Sequence, residues 1–389
     1  MILGLDRRRV AVAAAGFCSF LDMYSTHALL PTLRAEFGVG EAMAAATVSA
    51  TTLAVACMAP LAGHLADRLG RKRVMVAGAL LMVIPTALAA TSADMGQLIL
   101  WRFLQGLFLP AVFSVATAHI GEEWPPSEAV AMIGLHMAGM VAGGFCGRYI
   151  TALVAAAAGW RAAFPVLALL NLAGALVIAR WMPADRSPRP ALAAGPGGGG
   201  LATLRRHLGN PPLMATCGIG FGLLFCMTGT FTYMNFHLAA PPYLFGPVAL
   251  GTLFAITLFG VPASAAGIFL LRRFSRRVVV AGAVALTSAG LLITLADEVA
   301  VILVGLSLFS FGQLISQPVA LGSIAHLARD GRAMAVGLYV SSYYLGGSVG
   351  GVLPAWTWSH YGWPGCVALV VAVEISVAGL AMAAWRMRG

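Results

Sequence analysis

Twelve apolar stretches, separated by short polar connections, limit this chain to a narrow set of folds. They fall at 10–31, 42–64, 73–91, 97–120, 129–154, 162–182, 213–237, 247–271, 277–295, 298–323, 333–357 and 363–386. A bilayer core of about 30 Å needs about 20 apolar residues per helix. In lipid a segment must satisfy its own backbone, so each stretch is read as an α-helix. Charged residues make up 10% of the chain, against about 25% in a soluble domain, too few to coat a water-facing surface. The expected fold is an all-α polytopic membrane protein of twelve transmembrane helices, with no room for a soluble domain.

The formal charge of +10 would suit a nucleic-acid binder, but its placement argues otherwise. Twenty of the 24 Lys and Arg cluster at Arg7 to Arg9, Arg68 to Arg73, Arg180 to Arg206, Arg272 to Arg277, Arg329 with Arg332, and Arg386 with Arg388. Pairs of apolar segments separate these clusters. That is the positive-inside pattern of an even number of spans with both termini in the cytoplasm. The basic run before Val10 resembles a signal peptide. The apolar stretch nevertheless continues to about Pro31 without a small-residue cleavage site, so it is read as the first helix. The Arg-rich, Ala- and Gly-rich composition points to a GC-rich bacterial gene, and hence to a bacterial inner (plasma) membrane.

The six cysteines lie in apolar stretches without CxxC or a His cluster, and no metal or cofactor is expected. Gly195 to Gly200 has no following Gly-Lys-Ser/Thr, so no phosphate-binding loop is present and an ion gradient is the expected energy source.

The chain repeats itself. Adding 203 to Gly134, Gly143, Gly144, Gly147 and Trp160 gives Gly337, Gly346, Gly347, Gly350 and Trp363. Adding 204 to Gly63, Arg68, Arg73 and Gly78 gives Gly267, Arg272, Arg277 and Gly282. A six-helix unit is therefore duplicated as parallel repeats, an arrangement associated with secondary transporters. The expected organisation is a first half over 1–182, a cytoplasmic Gly/Pro/Arg-rich linker over 183–212 with a short surface helix near Leu201 to Leu208, and a second half over 213–389. Since one chain holds both halves, a monomer is expected.

Between the second and third stretches runs Gly63-His-Leu-Ala-Asp67-Arg68-Leu-Gly70-Arg71-Lys72-Arg73. It resembles the loop signature of the major facilitator superfamily, Gly-x-x-x-Asp-Arg-x-Gly-Arg-Lys/Arg. Helix count, loop position and repeat extend the resemblance over the whole chain. Asp67 and Arg71 are four apart and can pair. The resemblance implies a cytoplasmic conformational latch made by Gly63, Asp67, Arg68, Gly70, Arg71 and Arg73. The second copy has Leu271 where Asp67 stands, so the latch is expected to be asymmetric.

The fifth stretch carries Gly139, Gly143, Gly144 and Gly147, small residues that let backbones approach. Antiporters of the superfamily have a related run with a Pro and a double Gly. Here Gly144 stands where the Pro would fall and Arg148 replaces the second Gly. The run, with Tyr233 and Asn235 before Pro241-Pro242, resembles instead the YnfM-like efflux branch, also labelled acriflavine-sensitivity or arabinose-efflux-like. Gly346, Gly347 and Gly350 repeat the packing glycines.

Asp22 is an acid midway along the first stretch, on a helical face with Ser19 and Thr26. A charge there costs about 2.5–3.5 kcal/mol on insertion scales, so it should face water or a partner. Arg102, in Arg102-Phe-Leu-Gln105-Gly106, resembles the family's Arg-x-x-x-Gly motif. Either Asp22 titrates for coupling and Arg102 tunes it, directly or through water, or the two form a structural ion pair, or neither holds. Arg148 either binds an anionic substrate group or snorkels to the interface. His136, Gln313 and Gln317 complete the candidate cavity with Ser19, Thr26, Arg148, Tyr233 and Asn235. Glu374, on the last helix, either stays protonated or pairs within the bundle. Trp356 and Trp358 look like an interface belt.

Scattered histidines and the lack of clustered acids argue against an intramembrane enzyme, and the lack of an appended soluble domain argues against a membrane sensor. Two readings remain. One is a proton-coupled exporter (an antiporter) of a small amphipathic molecule, working by alternating access. The other is an importer of a small organic anion held by Arg102 and Arg148. Expected partners are a small-molecule substrate, protons and membrane lipid.

Overall fold

The computed structural model describes residues 6–185, 200–328 and 331–385. Arg186, Arg189, Arg329, Arg386, Arg388 and most of the linker's Gly/Pro run lie outside the described residues. No strand occurs among those described.

The membrane helices are α1 Arg7–Met23, α2 Glu41–Leu69, α3 Arg71–Ala89, α4 Met95–Glu123, α5 Pro126–Ala158, α6 Trp160–Trp181, α7 Pro211–Ala239, α8, α9 Arg276–Ile293, α10 Val299–Leu327, α11 Arg332–Val352 and α12 Pro354–Ala384. Segment α8 runs in three pieces, Pro247–Leu253, the 3-10 turn Phe254–Phe259 and Gly260–Leu270. Nine of the described helices carry an apolar stretch long enough to cross a bilayer by themselves. The surface helix near Leu201 spans Gly200–Leu208, with Arg205, Arg206 and His207 in its last turn, where cations suit the helix dipole.

Two sequence expectations change. The stretch 10–31 is not one helix. α1 ends at Met23, and the chain then passes through the 3-10 turn His27–Leu29 into a short helix, Leu30–Phe37. Thr26 therefore lies beyond α1 rather than on a helical face with Ser19 and Asp22. In addition, α12 begins at Pro354 and is interrupted at Gly362 (φ 61°), so Trp356 and Trp358 belong to its first piece and not to the end of α11.

The chain divides into two compact units, 1–193 with 245–254, and 194–244 with 255–389. In the first, α1 packs on α5 and α6, α4 on α2 and α3, and α6 on α3. The α1–α5 seam is backbone against backbone. A methyl group on Gly139, Gly143 or Gly147 would strike the carbonyls of Ala13, Phe17 and Leu21 in turn. In the second unit, α7 packs on α11 and α12, and α10 on α9. There Gly346 and Gly350 meet the carbonyls of Phe221 and Phe225. Gly143 and Gly147 differ from these glycines by 203, and Phe17 and Leu21 from Phe221 and Phe225 by 204, so the sequence repeat is also a repeat of packing.

Candidate functional site

The end of α1 is held by a guanidinium. The last carbonyls of a helix have no intrahelical donor, and in a membrane core no water serves them. Arg102 of α4 supplies them from the side. Its Nη1 donates to the carbonyl of Asp22 at 2.8 Å and its Nη2 to that of Met23 at 2.8 Å. Nη1 also reaches Ser25 Oγ at 3.2 Å and Gln105 Oε1, while Nε donates to the Thr47 carbonyl at 3.3 Å. Arg102 therefore caps α1 and ties it to α2 and α4. The direct Asp22–Arg102 pair that the sequence allowed does not form, and no ion pair among the described residues involves Asp22.

The Asp22 carboxylate is instead hydrogen-bonded by neutral groups, with the Arg102 guanidinium nearby on the Asp22 backbone carbonyl. Oδ2 accepts from the Asn171 amide of α6 and faces the Thr86 hydroxyl of α3 at 3.2 Å. The Thr86 hydroxyl lies closer to its own helix, 2.7 Å from the Met82 carbonyl, and accepts from Gln105 Nε2 at 2.7 Å. A hydroxyl has one hydrogen. Spent on Met82, it leaves the oxygens of Thr86 and Asp22 facing each other as acceptors. Asp22 Oδ1 and Asn171 Oδ1 are buried without a partner. The site thus holds more acceptors than hydrogens.

Sequence reasoning missed Asn171, Thr86 and Gln105. Asn171 did carry a signal, as the one side-chain amide in an apolar α6.

Arg148 of α5 is buried, with Nη1 on the Gly144 carbonyl at 2.7 Å and Nε 3.5 Å from His27 Nδ1. Its guanidinium lies over the rings of Tyr24 at 4.6 Å and Phe254 at 4.3 Å. His27 stacks between these rings. The group is drawn inward by aromatic faces rather than snorkelling outward. No carboxylate pairs with it among the described residues.

The remaining candidates are dispersed. Ser19 is turned back on the Ala15 and Gly16 carbonyls, and Thr26 lies 3.3 Å from Thr47. His136 braces α1, α4 and α5, with its ring nitrogens 3.3 Å from the carbonyls of Val12 and Phe113. In the second unit, Tyr233 donates to the Gly351 carbonyl at 3.0 Å, and the Asn235 amide to Phe231 of its own helix at 2.8 Å. Gln313 donates to Glu374 Oε1 at 2.7 Å, and Gln317 is half-buried one turn along α10.

At the α2–α3 turn, Asp67 and Arg71 pair at 3.3 Å as their spacing predicts, and Arg71 also reaches Glu122 of α4 at 2.9 Å. Asp185, where the linker begins, accepts from the Lys72 amide at 3.3 Å and lies 3.2 Å from His119 Nδ1. Gly70 has φ 92°, and a side chain there would meet Asp185 at 2.8 Å, so the turn needs glycine. Gly63 stands in open space, and Arg68 and Arg73 are exposed. Glu122, His119 and Asp185 were not legible as members of this cluster, because only the tertiary fold brings them to the turn.

Apolar helices in two repeated sets, with buried polar groups gathered inside each, define a multi-pass membrane transporter. A sequence profile of the Major Facilitator Superfamily matches residues 12–269, and the chain belongs to that family. It is 30% identical over 386 residues to the inner membrane transport protein YnfM of Escherichia coli strain K12, covering 95% of this chain and 89% of that one. It is 28% identical over 362 residues to the MFS-type transporter YybF of Bacillus subtilis, covering 92% and 89%. Among solved structures, the nucleoside transporter NupG aligns with a TM-score of 0.78 at 14% identity over 97% of this chain and 99% of that one. A bacterial homologue of the human lysosomal transporter Spinster aligns with a TM-score of 0.76 at 16% identity over 98% of each chain. These two share the fold.

Proposed function

We propose that this transporter is proton-coupled and exports a small amphipathic molecule by alternating access, with Asp22 as the group that takes up and releases the proton. The observation that carries the reading is the Asp22 site itself. Its carboxyl is buried and takes its hydrogen bonds from neutral groups rather than from Arg102, has an unpartnered oxygen, and faces a threonine whose hydroxyl lies closer to the Met82 carbonyl. A proton on Asp22 supplies the donor the site lacks. Arg102, occupied by the end of α1, supports that geometry from behind. The export direction rests on the likeness of the α5 run, with Tyr233 and Asn235 before Pro241-Pro242, to the efflux branch. In this reading the protein is a monomer in a bacterial inner membrane with both termini cytoplasmic, and Asp67, Arg71 and Glu122 form the cytoplasmic latch.

A second reading, transport of a small organic anion, is favoured by Arg148. This buried guanidinium lies over two rings and has no acid paired with it among the described residues. It would accept a substrate carboxylate.

One experiment separates the two. Energised inside-out vesicles, carrying a pH-sensitive dye, are challenged with lipophilic cations, neutral drugs and small organic acids. The exporter reading expects a cation or neutral drug to release protons with the wild type and not with Asp22→Asn. A response to organic acids alone, retained in Asp22→Asn and lost in Arg148→Ala, would overturn it in favour of the anion.

A further inference from the structure

The second unit contains a buried acid that the proposed mechanism leaves unused. Glu374 of α12 is 1% exposed. Its Oε1 accepts from Gln313 Nε2 of α10 at 2.7 Å and its Oε2 faces Thr287 Oγ1 of α9 at 3.1 Å. The Cys226 thiol of α7 donates to the Val370 carbonyl, one turn before Glu374 on α12, at 3.8 Å. Thr287 lies closer to the Val284 carbonyl of its own helix, at 2.9 Å. Its one hydrogen can serve only one of the Val284 and Glu374 oxygens at a time, as at Thr86. Gln313 Oε1 is buried without a partner, as Asn171 Oδ1 is in the first unit. Each unit therefore holds a carboxyl, an amide with its oxygen left over, and a back-bonded threonine on its third helix.

The duplication relates the two sites by position. Asn171 lies eleven residues after Trp160, and Glu374 eleven after Trp363 (171 − 160 and 374 − 363). Gly16, Phe17, Met23 and Thr26 plus 204 give Gly220, Phe221, Met227 and Thr230, which places Cys226 opposite Asp22. The first half has its acid on the first helix, facing an amide on the sixth. The second half has the acid on the sixth and a thiol on the first.

We propose that Glu374 is a second proton-exchanging site, the counterpart in the second half of Asp22 in the first. Its place in transport rests on the proton-coupled reading above, whereas its proton chemistry stands on its own geometry. An aqueous proton adds to a Glu374 oxygen, the new O–H donates to Thr287 Oγ1, and the Thr287 hydrogen stays on the Val284 carbonyl. Release to water reverses the step. Cys226, on the Val370 carbonyl one turn away, is a titratable side chain of α7 beside Glu374. The charged residues of the packed helices stand at their ends: His237 on α7, Arg276 and Arg277 on α9, His326 on α10 and Arg332 on α11. None of the ion pairs among the described residues includes Glu374.

The test is pH-difference infrared spectroscopy of the full chain in lipid nanodiscs, read at the carbonyl band of protonated carboxylic acids. Wild type is expected to show two titrating bands, of which Glu374→Gln loses one and Asp22→Asn the other. If Glu374→Gln does not fold, Glu374→Asp is read instead and is expected to displace one band. A titration unchanged by Glu374→Gln, or by Glu374→Asp where that variant is used, overturns the proposal. Loss of the Glu374 band with none lost in Asp22→Asn would uphold this site while overturning the Asp22 reading.

Discussion

At the level of single residues, sequence marks buried charge well and its partners poorly. Asp22 and Arg102 stand out because a charge inside an apolar stretch demands an account. That Arg102 of α4 reaches the end of α1 without pairing with Asp22 was not legible, since only the fold shows that α1 stops at Met23 and that its last carbonyls take the guanidinium. Asn171 and Thr86 are polar residues far from Asp22 in sequence, and only tertiary packing puts them against it. The cap makes a prediction. A buried carbonyl left without a donor costs about 1–3 kcal/mol. The Asp22 carbonyl also accepts from the Ser25 amide at 3.2 Å and its hydroxyl at 3.1 Å, so Met23 is the one whose carbonyl depends on Arg102. Arg102→Ala should lower the unfolding temperature of the purified protein markedly, and Arg102→Lys, which lacks the planar fork, should restore only part. An unchanged unfolding temperature in Arg102→Ala would show that α1 ends without help from α4.

Among the elements, the packing glycines were the most legible, because residues four apart on a helix make one smooth face. Gly147→Ala and Gly350→Ala push a methyl group into the carbonyls of Leu21 and Phe225, and each should lower thermal stability. Gly134, on the same helix as Gly147, has open space around it, so Gly134→Ala should be neutral or stabilising by about 0.5–1 kcal/mol. Equal effects at all three would dismiss the seam.

The short helix Leu30–Phe37 is tied to α6 by Glu36, whose carboxylate meets Arg161 at 2.6 Å. Hydrogen bonds from Arg161, and then from Trp160, hold the Glu36 carboxyl below its ordinary range. A lowered folded-state value means that the tie is present above the ordinary carboxylate range and is lost as pH falls through the lowered one. Amide-exchange protection of that helix, corrected for intrinsic rates, should fall over that acidic window. Glu36→Gln should show the low-pH level already at neutral pH, and a pH-independent protection would refute the tie.

On the scale of the whole molecule, the duplication was legible from offsets of 203 and 204 and returns as repeated helix contacts. The breaks in α1 and α8 were not, because an apolar stretch reads alike whether its helix is whole or interrupted. The linker was legible as a boundary in the text of the sequence, yet the units do not divide only there. Phe245 to Phe254, in the second half of the sequence, belongs to the first unit. This segment lays Phe254 over Arg148 and sets Gly251 against Ala152. The order of synthesis follows from that. When α6 leaves the ribosome the first unit still lacks a piece of itself, and Arg148 has one ring rather than two. α7 must enter the membrane, and translation must pass Phe254, before that unit can close around its buried arginine.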